Sequence, residues 1–174
     1  RWLNYYQGAG SALTLFANSV VNLNGTTERF SSITFNGGQI DSGPSGICIL
    51  GNPFNANASY LNVNAATTPA IINGLFQPAG GASWMAVSNG VADPDLLINA
   101  GVVGNAPQLI KQGAGTMKLA GAGNYTGVTI VNEGIMDVGH NTALGSASFG
   151  TIVNEGTTLR LSSFGTVPEG FALF

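Results

Sequence analysis

The sequence predicts an all-β fold, and within that class a parallel β-helix, a solenoid with roughly 20 to 25 residues in each coil. The main observation is a repeat: the hexapeptide Thr-Ile-Val-Asn-Glu-Gly occurs at positions 129–134 and again at 151–156, which is a period typical of solenoids. Short runs also alternate apolar and polar residues and end at Gly or Asn, which is typical of strands. Long windows with an uninterrupted helical stripe of apolar residues are missing, so helices should be nearly absent.

Short strands separated by glycine and asparagine corners fit either an antiparallel sandwich or a β-helix. The repeated hexapeptide favours the β-helix, because equivalent residues of successive coils stack directly in a solenoid. Residues 11–21 come closest to a helical pattern, but an extended conformation competes with it. The predicted strands are residues 32–35, 60–63, 96–98, 116–119, 128–131 and 158–161.

Stacked coils bring particular side chains together across the repeat. Asn132 should lie directly above or below Asn154, because coils stack about 4.7–4.9 Å apart, and their amides can form a hydrogen-bonded ladder. Gly134 should lie beside Gly156 at a corner that needs positive φ or close backbone approach. At this period the chain makes about seven or eight coils, a rod about 35 Å long.

The chain divides into two parts on this reading. Residues 30–174 form the β-helix, with the repeat signature at 109–161, and residues 1–29 form a cap or the first coils. The sequence begins with Arg1 and has no signal-peptide pattern, so we expect a processed product or a piece of a longer protein.

Composition excludes several classes of function. Only 7% of the 174 residues are charged, with 5 Lys+Arg against 8 Asp+Glu and a net charge of −3, so we expect no nucleic-acid partner. No apolar run is long enough for a membrane span, and we expect no direct membrane insertion. The single cysteine, Cys48, rules out an internal disulfide framework and a Cys-x-x-Cys metal site; we expect it to be buried.

The segment 111–121 reads Lys-Gln-Gly-Ala-Gly-Thr-Met-Lys-Leu-Ala-Gly, and 124–139 continues with Asn-Tyr-Thr-Gly-Val-Thr-Ile-Val-Asn-Glu-Gly-Ile-Met-Asp-Val-Gly. This stretch resembles the autotransporter-associated β-strand repeat, with Met117 and Ile135 where Leu is usual. The residues that carry the signature are Lys111, Gly113, Gly115, Thr116, Leu119, Gly121, Asn124, Tyr125, Gly127, Thr129, Val131, Asn132, Gly134 and Val138, with Asn154 and Gly156 in the next coil.

The resemblance implies a right-handed parallel β-helix in the passenger of a type V secreted protein, or in another large bacterial surface protein. It implies a secreted or cell-surface location and a structural module that is not an enzyme, with no catalytic residue, metal or cofactor. The module would act as a stiff display or adhesion rod, or as a filament subunit that assembles end to end. Expected partners are further copies of itself, a surface glycan, or a receptor on a host or neighbouring cell.

A carbohydrate-binding or carbohydrate-cleaving β-helix, like the pectate-lyase-type and tailspike proteins, is the alternative. Glu133 and Glu155 are equivalent positions one coil apart, so their carboxylates could approach the roughly 5–5.5 Å separation of a retaining glycosidase pair. A solvated corner ladder is the favoured interpretation, because identical surroundings would not separate their pKa values. Asp93 and Asp95 flank a proline, which is typical of a turn, and provide too few oxygens for calcium. His140 is expected in an exposed loop.

Aromatic residues supply the remaining candidates for ligand contact. Trp2, Tyr5 and Tyr6 cluster near the start of the chain and could stack on a sugar. Tyr125 belongs to the repeat signature, and Trp84 is expected to pack in the fold.

Overall fold

A computed structural model describes residues 11–51, 58–105, 108–162 and 165–174. In these ranges the chain forms β-strands and no helix, and every strand pair is parallel. The all-β, parallel β-helix prediction is therefore confirmed. No helix of the described residues is long and apolar enough to cross a membrane.

The strands form two long sheets on opposite sides of one core. What we call the front sheet contains β1 (Ser11–Phe16), β3 (Glu28–Asn36), β6 (Ser59–Val63), β9 (Ala82–Val87), β12 (Gln108–Gln112), β14 (Val128–Val131), β16 (Thr151–Val153) and β18 (Phe171–Leu173). The back sheet contains β2 (Val20–Asn22), β4 (Gly38–Asp41), β7 (Ala70–Asn73), β10 (Leu96–Ile98), β13 (Thr116–Leu119), β15 (Ile135–Val138) and β17 (Thr158–Leu161). Three side strands, β5 (Cys48–Leu50), β8 (Leu75–Pro78) and β11 (Gly101–Val102), continue from the first half of β3.

The pairing register gives the length of each coil. Ile130 pairs with Ile152, as the repeat predicts. Ser32 pairs with Tyr60, so this coil is longer than the predicted range. The coil from Trp84 to Ile110 is also longer than that range. Both long coils contain a side strand, as does the coil from Tyr60 to Trp84 between them, which is within the predicted range, whereas the coils after Ile110 contain none. Seven register steps separate β1 from β18, a rod about 33 Å long.

The core consists of stacks of inward-facing residues, one from each coil. Parallel pairing in register places equivalent side chains directly on one another, so each apolar residue is covered by the coils on both sides. Each of the ten stack residues named next has at most 7% of its surface exposed. The front stack contains Ile33, Leu61, Met85, Val131 and Val153, and the back stack contains Ile40, Ile72, Ile98, Leu119 and Val138.

The part of the N-terminal segment that is described continues the solenoid. β1 and β2 pair in parallel with β3 and β4, which places residues 11–16 and 20–22 in strands joined by a turn instead of in a helix. A domain boundary at residue 30 stays a prediction. All six strands predicted from the alternating pattern are found, and Cys48 is buried as expected.

Replacing Ile72 by Ala should lower the free energy of unfolding by about 2–5 kcal/mol, because it empties a fully buried place in the back stack. The matched control is Ile71→Ala, since Ile71 is the neighbouring residue on the outward face and is only half-buried. Urea titration followed by circular dichroism measures both variants. Equal losses would contradict the assignment of inward and outward faces.

Candidate functional site

The most unusual residue of the solenoid is a lysine inside the core. Lys111 occupies an inward position of the front stack, paired with Met85 on one side and Val131 on the other, and its surface is 0% exposed. Its Nζ donates hydrogen bonds to the carbonyl oxygens of Gln112 at 3.0 Å, Gly113 at 2.6 Å and Glu133 at 3.0 Å. All three protons of the ammonium group therefore have a backbone acceptor.

Burial governs the ionisation of this lysine. Loss of hydration lowers the pKa of Lys111 to about 8, and the negative charges of Glu133 and Asp95 partly oppose that change. The ammonium is therefore the main form near neutral pH, where it links the corner of its own coil to the corner of the next.

Two carboxylates hold backbone N–H groups around this lysine. Asp95 is 4% exposed, and its Oδ1 accepts from the N–H of Gly90 at 2.6 Å while its Oδ2 accepts from the N–H of Thr116 at 2.8 Å. Glu133 accepts from the N–H of Gly113 through Oε2 at 2.8 Å. We name Lys111, Asp95, Glu133 and their backbone partners the lysine corner; its charges bind the backbone of adjacent coils together.

Glycines make this corner possible because the chain turns there in close contact with the neighbouring coil. Gly113 has φ +77° and Gly134 has φ +68°, which residues with a side chain rarely adopt. A Cβ atom on Gly134 would lie 2.5 Å from the carbonyl oxygen of Gly113. Gly156 also has positive φ, so the corner prediction is confirmed for both repeat glycines.

Asparagine ladders run along the corners, as the repeat predicts. The Asn154 Nδ2 donates to the Asn132 Oδ1 at 2.6 Å. Two further ladders, not predicted from the sequence, join Asn64 to Asn36 at 2.8 Å and Asn99 to Asn73 at 3.0 Å. An asparagine one residue after a strand, or at its last position, is the common signal.

A second polar group lies in the core near the C-terminal coils. Tyr125 is fully buried, its hydroxyl lies 2.5 Å from the Thr129 Oγ1, and burial raises the pKa of Tyr125 above its usual range. Thr151 stacks directly on Thr129 and donates to the Glu169 Oε1 at 2.8 Å. Burial raises the pKa of Glu169 to about 7, although the Thr151 hydrogen bond opposes this. Neither the hydrogen bond of Tyr125 nor the contact of Glu169 with Thr151 was predicted from the sequence.

Three residues considered for catalysis or metal binding lie at exposed corners and in a loop of the solenoid. Glu133 and Glu155 are both exposed, and the Glu133 carboxylate already accepts from Gly113. His140 lies in an exposed loop as expected, where its Nδ1 accepts from the N–H of Thr142 at 3.2 Å. Among the described residues, no group of three or more His, Cys, Asp or Glu side chains is arranged to hold a metal ion.

The other signature residues divide between core and corners. Leu119, Val131 and Val138 are buried in the stacks. A Cβ on Gly121 would lie 2.2 Å from the carbonyl oxygen of Ala100, so the chain needs glycine there.

The structure does not test the three aromatic residues that were proposed to contact a ligand. Trp2, Tyr5 and Tyr6 lie outside the described residues. Trp84 does not join the core cluster; it is half-buried on the outer face of the front sheet, where it pairs with Tyr60.

Comparison with known proteins identifies one matching segment. Residues 109–138 match the family described as passenger-associated-transport-repeat, which confirms the resemblance found in the sequence. No curated protein and no solved structure matches the chain. The matched segment contains Lys111, Glu133 and Tyr125, so the lysine corner lies largely within the repeat.

Replacing Lys111 by Met should lower the free energy of unfolding by about 1–3 kcal/mol, because three part-buried hydrogen bonds to backbone carbonyl groups lose their donor. The loss should depend on pH. The pKa of Lys111 falls from 10.5 to about 8 on folding, so the unfolded chain binds more protons in this interval and the stability advantage of the wild type over Lys111→Met should be largest above pH 10.5 and should shrink as the pH falls to about 8. Urea titrations between these pH values measure the free energy of unfolding of the wild type and of Lys111→Met. Subtracting the two values at each pH cancels the contributions of the other titrating groups. A difference that is independent of pH would contradict the burial of a titrating amine.

Glu169 should make the stability depend on pH in the opposite sense to Lys111. Its pKa rises from 4.5 to about 7 on folding, so the stability it contributes is present below pH 4.5 and is lost as the pH rises through about 7. Glu169→Gln should remove most of this dependence. Glu155→Gln is the control, since Glu155 is exposed. Thermal unfolding between pH 4 and 8 measures all three proteins, and an unchanged pH profile in Glu169→Gln would contradict the assignment.

Proposed function

We propose that this chain is a rigid, non-enzymatic segment of a secreted bacterial surface protein, a rod that spaces or displays other parts of the molecule. The observation that carries the proposal is the unbroken parallel ladder from β1 to β18, which contains a segment that matches a passenger-associated transport repeat. A ladder of this kind resists bending because each coil is hydrogen-bonded to the next along several strands. The family match also favours a secreted or surface location.

The chemistry of the charged residues supports a structural role. Lys111, Asp95 and Glu133 have backbone groups as their hydrogen-bond partners, which uses their charges for holding the coils together. The carbohydrate-cleaving alternative needs a pair of carboxylates free to act on a substrate, and Glu133 is already bound to Gly113.

The last coil supports a finer proposal, pairing of the rod end with another chain or a further coil. Leu161 is 50% exposed and Leu173 is 76% exposed, whereas Val138 and Val153, their partners in the preceding coil, are buried. These inward positions need a further coil to cover them, and the edge strands offer unpaired backbone groups to the same neighbour. We therefore propose end-to-end assembly through this surface.

A concentration series tests the rod and its assembly. Small-angle scattering should give the profile of a rod, and negative-stain electron microscopy should show filaments that lengthen as the protein concentration rises. Leu173→Lys should shorten the filaments, because a charge at the pairing surface must be desolvated. Val91→Lys is the control, since Val91 is 81% exposed outside the strands.

Each result separates the two parts of the proposal. Discrete rods at all concentrations would support the display role and overturn end-to-end assembly. A compact scattering profile without an elongated axis would overturn both.

A further inference from the structure

We propose that the outer face of the front sheet binds an uncharged polysaccharide chain that lies along the axis of the rod. The face carries a line of apolar residues, which we call the apolar stripe. Its members pair directly in register, one from each of five successive coils. They are Tyr60, Trp84, Ile110, Ile130 and Ile152.

The stripe faces away from the core. Leu61 and Met85, the next residues along β6 and β9, are fully buried inward, so Tyr60 and Trp84 lie on the opposite face. Tyr60 is 51% exposed and Trp84 is half-buried. Ile110 lies outside the core cluster but is only 3% exposed, so it is covered, and the stripe is open to a ligand at its other four members. Sheet faces that point to water usually carry polar residues, so these four apolar residues are a distinct surface.

A row of amide side chains runs beside the stripe. Two residues further along β6 and β12 are Asn62 and Gln112, both outward and partly exposed, while the coil between them has Ala86 at this position. In the following coils Asn132 and Asn154 are hydrogen-bonded to each other at 2.6 Å. Each amide has two donor protons and an acceptor oxygen, so the row retains free donors and acceptors for a ligand with hydroxyl groups.

The charge of this face selects the class of ligand. None of the outward residues of β6, β9, β12, β14 and β16 is charged. An anionic ligand, such as a nucleic acid or an acidic glycan, would find no counter-charge there. A neutral sugar chain combines apolar C–H faces for the aromatic rings with hydroxyl groups for the amides.

The shape of the face also suits a linear chain. Neighbouring stripe residues are one coil apart, about 4.7–4.9 Å, and a sugar unit in an extended β-linked glucan advances by a similar distance. A second copy of this protein is a less suitable occupant. Its sheet would cover the amide row with apolar residues, and amides buried in this way lose their hydrogen bonds to water.

Binding of cellohexaose, a neutral β-linked glucan oligomer, tests the proposal. The chain has two tryptophans, so Trp2→Phe leaves Trp84 as the only indole, and its fluorescence should change saturably on addition of cellohexaose. Calorimetry on the full chain should show affinity that falls roughly tenfold or more in Trp84→Ala and in Tyr60→Ala. Phe149→Ala is the matched control, because Phe149 is an aromatic residue that is 40% exposed in a loop.

Several outcomes would overturn the proposal. They are the absence of saturable binding up to the solubility limit, or equal binding by the Trp84→Ala, Tyr60→Ala and Phe149→Ala variants with unchanged circular dichroism. A dimer that binds no cellohexaose and dissociates in Trp84→Ala would assign the face to a second copy. Rods that persist in these variants would show that the structural role stands independently, since it depends on inward stacks and the glycan site on outward ones.

Discussion

The hydrogen-bonded pairing of each coil with the next is the constraint on which the rest of the structure depends. Every front strand after β3 pairs in parallel with the equivalent strand of the neighbouring coils. Because the register is fixed, a side chain meets the same position of the coil before and the coil after. A slip of one residue would exchange all inward and outward side chains. The side chain at each position must therefore pack against the equivalent side chains of both neighbouring coils.

Lys111 shows how the fold accommodates an exception to this rule. Its position belongs to an apolar stack, between Met85 and Val131, where an isolated charge would be very costly. The glycine corners at Gly113 and Gly134 bring carbonyl groups close enough to surround the ammonium. Asp95 and Glu133 add negative charge nearby. The result joins two coils through one side chain, at the cost of a lowered pKa.

The features that depend on the repeat itself could be predicted from the sequence. The spacing of the two hexapeptides determined the pairing of Ile130 with Ile152 and the Asn132–Asn154 ladder. Alternation located the strands, because inward and outward positions differ in polarity. Both kinds of feature arise within one or two coils and do not depend on contacts between distant segments.

Features that depend on contacts between unlike segments could not be predicted in this way. The coil from Ser32 to Tyr60 includes a side strand and is longer than the repeat period, and no repeat in the sequence marks either feature. Glu169 meets Thr151 through a segment that shares no repeat. Trp84 was assigned to packing because large aromatic residues usually are, and only its register with Tyr60 shows that it faces outward.

Distances between spin labels along the front sheet test the parallel solenoid most directly. With Cys48 replaced by Ala, one label is placed at Ser32 and the other at Ile130, Ile152 or Ala172, which lie four, five and six coils away in register. Double electron–electron resonance should give backbone separations near roughly 19, 24 and 29 Å, an increase of about 4.8 Å per coil. Distances that do not increase coil by coil would contradict the parallel stacking from which the core, the lysine corner and the outer face all follow.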